Sequence, residues 1–303
     1  MAGYLGQSQP VAAGGNSVET EDIIDGAVTA AKLAPGAAVP SQATHSGKFL
    51  FTNGSDASWA TVSAGVPTTL SATSNIGLGS GAVDSITTGD YNTGVGDQAL
   101  SATTTGYNNS AVGLYSLFFN TTGNENTAIG RSSLQSLISG SYNTAIGSSS
   151  LFSNTANYNT ATGYKALYSN TTGTENTASG FKALFSNTTA HENIATGRKS
   201  LYSNTTGTNN TAVGNNTLYY NTTGSKNTAS GYQSLYSNNT GDNNVALGSS
   251  ALYNTTSNNN TAVGADALYL QTSGGYNVAV GRSALYAFTG TGSTAVGYTS
   301  LSS

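Results

Sequence analysis

Residues 210–226 read NTAVGNNTLYYNTTGSK, and the same order of small, apolar, aromatic and turn residues starts again at Asn227. Taking the first Asn as an anchor, equivalents stand at Asn75, Asn92, Asn109, Asn126, Asn143, Asn159, Asn176, Asn193, Asn210, Asn227, Asn244, Asn260 and Asn277, and Ser293 takes the place in the last copy. The spacing is 17 residues, shortened to 16 three times, which gives fourteen copies. Internal repetition of this kind decides the architecture before any single residue does. Glycine falls four residues after every anchor, and Ala or Gly two after it. Leu stands eight after the anchor in 13 of 14 copies, and Tyr or Phe nine after it in ten, including Phe118, Phe152, Tyr168, Phe185, Tyr202 and Tyr286.

A unit this short is too small for a helical pair or a propeller blade. Gly and Asn interrupt every candidate helical turn, and Leu does not recur at helical spacing. Short stretches of β propensity between Gly/Asn turns predict two brief strands per copy, one at NTAVG and one at ALYS. Stacked copies then form an all-β parallel solenoid, or β-roll, of fourteen rungs. At about 4.8 Å per rung the rod is roughly 65 Å long.

Charge obeys the same register. From residue 90 onward there are fourteen charged residues, and all lie one or two before an anchor or five or six after it. Those are the expected turns, where a charge stays in water; inside a narrow coil it would be desolvated without a partner. Asp84, in the degenerate first copy, departs from the rule. Across the chain only 7% of residues are charged, against about 25% in ordinary globular proteins.

Composition excludes several functions. There is no cysteine, hence no disulfide or cysteine zinc site, and only His45 and His191 could offer imidazole ligands. A net charge of −4 argues against a general nucleic-acid surface. No apolar run reaches the ~18 residues of a membrane span, and MAGYLGQSQP lacks the pattern of a signal peptide.

Each rung supplies little apolar bulk: a small residue, one variable apolar residue, a second Ala or Ser, one Leu and one aromatic ring. A lone coil with so thin a core hardly offsets chain entropy. Parallel association as a homotrimer is therefore expected. On an extended strand the Leu and the neighbouring ring face opposite ways. One would fill the coil and the other the seam between chains; the sequence leaves open which.

Residues 1–73 lack the repeat and divide into a segment 1–40 and a small β connector 41–73, ahead of the solenoid 74–303. Gly26, Pro35 and Pro40 limit any helix in DIIDGAVTAAKLAPGAAVP, and GKFLFTNGSDASWATV, residues 47–62, reads as two β stretches about a turn at Asn53–Asp56.

These residues carry a resemblance. DIIDGAVTAAKLAPGAAV followed by GKFLFTNGSDASWATV resembles the N-terminal segments of bacteriophage tail fibres, and MAGYLG is similar to the start of their virion-attachment segments. The repeat NTAVGxxALYSNTTG resembles tail-fibre repeats and is also similar to the head of YadA-like trimeric adhesins, a left-handed parallel β-roll. The resemblance implies a homotrimeric fibre of the virion, assembled in the host cytoplasm. Its N-terminus would dock to a phage tail or adaptor protein, with Tyr4, Leu5, Ile23 and Ile24 as attachment candidates. The chain departs from many such fibres in stopping inside its fourteenth rung, with neither a terminal chaperone nor a bulky tip. It also has neither the signal peptide nor the membrane anchor of the autotransporter version.

No catalytic constellation is expected. His45 and His191 have no triad partners, and the scattered acids form no recognisable glycosidase pair, although some tailspikes on β-helices do cleave glycans. No phosphate-loop pattern, cofactor site or metal site is predicted. The recurrent Asn-Thr-Thr is read as turn chemistry, in which Asn amides ladder along the stack. The aromatic column is read as a buried seam rather than an exposed sugar platform. The Thr column after the anchor is broken by Ser110, Ile194, Val245 and Val278 and forms no Thr-x-Thr array. Variable chemistry collects at the turns, so Arg131, Arg198, Lys199 and Arg282 are the candidate contacts to a host glycan or protein. The alternatives are a passive shaft or capsid-decorating fibre, and a cellular trimeric adhesin.

Overall fold

The protein is described by a computed structural model covering residues 75–302, with the backbone of 49–52 and 57–60. The chain divides into two compact units, Met1–Val62 and Ser63–Ser303. In the first, β1 (Phe49–Thr52) pairs antiparallel with β2 (Ala57–Ala60).

The second unit is a parallel β-solenoid. Fourteen three-residue strands, β3 (Ile76–Leu78) to β16 (Thr294–Val296), form one sheet in strict sequence order, joined by thirteen turns of coil. Register is exact between copies: Thr177 pairs with Ile194 and Ile194 with Thr211. Among the described residues there is no helix.

The pleat explains the NTAVG pattern. The central residue of each strand, Ala in twelve and Gly at Gly77 and Gly94, points into the coil and is buried, while the residues on either side face outward. Only Ala or Gly fits inward because the coil is narrow. The glycine that follows turns the chain: Gly180 has φ +136°, and a Cβ there would sit 2.5 Å from the Gly197 carbonyl oxygen.

The predicted second strand does not form. The residues six and eight after each anchor adopt left-handed backbone, as at Lys182 (φ 53°) and Leu184 (φ 49°), which no strand tolerates. ALYS is instead a tight turn, and its backbone still bonds from rung to rung: the Leu184 N–H donates to the Ser200 carbonyl at 3.0 Å. Pairing without extended geometry keeps these buried groups satisfied.

This geometry also assigns the two columns. Leu100, Leu117, Leu134, Leu151, Leu167, Leu184 and their successors to Leu285 are fully buried within the coil. Each such Leu removes apolar surface worth about 1.5–3 kcal/mol from water. The adjoining aromatic rings lie outside.

The interior is completed by amides rather than hydrocarbon. The anchor Asn residues from Asn92 to Asn277 are fully buried. Asn193 Oδ1 accepts the Asn210 N–H at 3.0 Å, and its Nδ2 donates to the Gly207 carbonyl at 2.9 Å and to Asn176 Oδ1 at 3.2 Å. A second ladder runs from Asn154 through Asn170, Asn187, Asn204 and Asn221 to Asn238, with amide contacts of 2.6–3.1 Å. The thin apolar core expected from composition is thus supplemented by two hydrogen-bonded columns, which a low-dielectric interior strengthens.

Candidate binding surface of the solenoid

Because every strand runs the same way, its preceding turn always lies on one border of the sheet and its following turn on the other. None of the charged residues of the described solenoid is buried. Asp90, Glu125, Glu175, Glu192 and Asp242 stand just before anchors with one cation, Lys226, whereas Arg131, Lys165, Lys182, Arg198, Lys199 and Arg282 follow the strands. The border after the strands carries acids at Asp84, Asp97 and Asp266.

Beside that basic border runs an aromatic ladder. Phe152, Tyr168, Phe185, Tyr202, Tyr219, Tyr236, Tyr253, Tyr269 and Tyr286 stack with neighbouring centroids 4.9–5.4 Å apart and planes within 21°. All nine rings are half-buried on the single chain, where they shield one another. Burial raises the phenol pKa of Tyr219 and Tyr253, and pushes Tyr236 up to about 12, where Tyr220 also hydrogen-bonds to it. These hydroxyls stay protonated at neutral pH and serve as neutral donors and acceptors.

The lysines lie over this ladder. Lys165 Nζ is 5.0 Å from the Tyr168 centroid and 5.4 Å from that of Tyr164. Lys182 Nζ is 5.3 Å from Phe185 and 5.5 Å from Phe181, and Lys199 Nζ is 5.5 Å from Tyr202 and 5.6 Å from Tyr219. The Arg198 guanidinium sits 5.8 Å from Phe181. Cation–π attraction holds these cations on the rings while leaving ammonium donors in solvent.

Of the four turn cations named from sequence, Lys199 lies over the ladder and the adjacent Arg198 over Phe181, outside it. Arg131 lies two rungs before Lys165, and Arg282 five rungs beyond Lys199. Lys165 and Lys182 belong to the cluster but were passed over; their signal was occupancy of one rung position in consecutive copies, next to Lys199. Tyr4, Leu5, Ile23 and Ile24 lie outside the described residues, as does His45. His191 is exposed, and its Nδ1 meets the Thr174 backbone N–H at 3.0 Å. Among the described residues no group of three or more His, Cys, Asp or Glu is placed to hold a metal ion.

The sheet's outward face is different in kind. The flanking positions of all fourteen strands carry no charge, and Ile129, Ile146, Ile194, Val213 and Leu247 are 38–44% exposed there. No family model, curated protein or solved structure matches this chain.

Proposed function

We propose that the chain is a non-catalytic structural protein of a phage virion: a homotrimeric tail fibre, anchored through residues 1–40 to a tail or adaptor protein, whose solenoid is held outward for host attachment. The observation that carries this reading is the unbroken in-register stack of fourteen strands, a geometry suited to a stiff rod. The uncharged outward face, mostly Thr in its first column and mostly Ile, Val or Leu in its second, supports parallel association of chains through that second column. Attachment would use the turn borders, where three chains could add weak contacts into avidity for a host glycan or protein.

Antibodies raised against the solenoid, applied to purified particles for immunogold microscopy, test this directly. Label on tail projections, together with blocked adsorption to cells, is the expected result. Particles that contain the protein but carry no accessible label would contradict it.

A further inference from the structure

Four of the seven cations of the repeat region fall between Lys165 and Lys199, three of them at one position in consecutive rungs. Like charges directly opposite on neighbouring rungs destabilise a stack. Among the described residues no carboxylate lies within 4.0 Å of any of the four, and Glu175 and Glu192 stand on the other border of the sheet. A chain so sparing of charge nonetheless concentrates unpaired ammonium groups in one line, against an aromatic ladder of the same period.

We propose that Lys165, Lys182, Lys199 and Arg198, with the rings of Tyr168, Phe185 and Tyr202, form a binding track for a linear, carboxylate-bearing polysaccharide lying along the coil axis. This rests on the attachment reading and names its ligand class. The ammonium groups recur at about 4.8 Å per rung. A pyranose chain advances by about one rung per sugar, so a uronate polymer lying along the axis keeps its carboxylates within reach of the flexible lysine side chains without bending. Each contact is a charge-assisted hydrogen bond. The ring edges offer apolar area to sugar C–H groups, and the Tyr168 and Tyr202 hydroxyls can bond to sugar hydroxyls. The acidic border and the net charge of −4 disfavour a wide polyanion such as duplex DNA, which would bring phosphates to both borders.

The test uses the full chain, with size-fractionated oligogalacturonate as the probe and isothermal titration at low ionic strength. Its methyl ester and a DNA duplex are the comparators. The triple variant Lys165→Gln/Lys182→Gln/Lys199→Gln should fold normally, since Gln98 and Gln233 already occupy this rung position with φ 60° and 54°. It should bind oligogalacturonate on the order of 30-fold more weakly, the combined effect of three exposed charge pairs. Arg282→Gln and the triple Lys→Arg variant should stay within about threefold of wild type on the same scale. Three results overturn the proposal: no binding by the wild-type chain, equal binding of the methyl ester, or tighter binding of the duplex. Undiminished binding by the triple Gln variant does so too. The assay contains no virion, so absence of the protein from particles would contradict the attachment reading alone.

Discussion

Leu184→Asp is expected to break the solenoid at its seventh rung. Leu184 is fully buried, stacked between the equally buried Leu167 and Leu201. The substitution removes about 1.5–3 kcal/mol of burial and places a carboxylate in the coil at a further cost of several kcal/mol. Together these rival the roughly 5–15 kcal/mol that keeps a whole domain folded. Backbone strain is not the cause, because Asp tolerates the left-handed conformation (φ 49°) better than Leu does. In a stack where each rung touches only its neighbours, the damage localises. Circular dichroism should show loss of β signal, and limited proteolysis should cut near residue 184. Lys182→Asp, two residues away with its side chain outside the coil, should leave both unchanged. Equal effects of the two substitutions would mean that the inward and outward positions have been exchanged.

Asn193→Leu is expected to be almost as damaging, though it makes the interior more apolar and keeps the side chain's heavy-atom count and branching. The Asn210 N–H loses its acceptor and the Gly207 carbonyl loses a donor, both inside the coil. Each orphaned group costs about 1–3 kcal/mol, so a drop of roughly 2–6 kcal/mol follows. Asn215→Leu is the control: Asn215 is exposed, and Leu114 already holds that rung position. Thermal melts of the two variants should separate clearly. A stable Asn193→Leu protein would show that the amide ladder is dispensable.

Much of this fold was legible in the repeat. The anchor spacing set the rung length, the Gly column set the turn, and the confinement of charge to four positions separated turns from strands. The second strand was misread because ALYS has β propensity, and propensity is blind to the left-handed residues on either side of its Ala. Those conformations are imposed by stacking: once each rung must close in 16 or 17 residues, the chain turns where it can still bond to the next rung. The same error left the places of Leu and the aromatic ring open, since alternation across a strand has no force in a turn.

The anchor Asn was legible as a repeated residue but not as an interior one. Polar residues normally signal surface. What distinguishes this Asn is its presence in 13 of 14 copies, beside turn positions that vary freely. The lysine track was hidden for a related reason. Arg198 and Lys199 stood out as neighbours in sequence, whereas Lys165, Lys182 and Lys199 become neighbours only when the copies are stacked.

The account depends most on the coil working as one strand of a larger fibre. Light scattering of the purified full chain measures this directly. The expected particle has three times the 30.4 kDa chain mass and holds together on dilution. A stable monomer of 30.4 kDa, with the β signal of the solenoid intact, would contradict it.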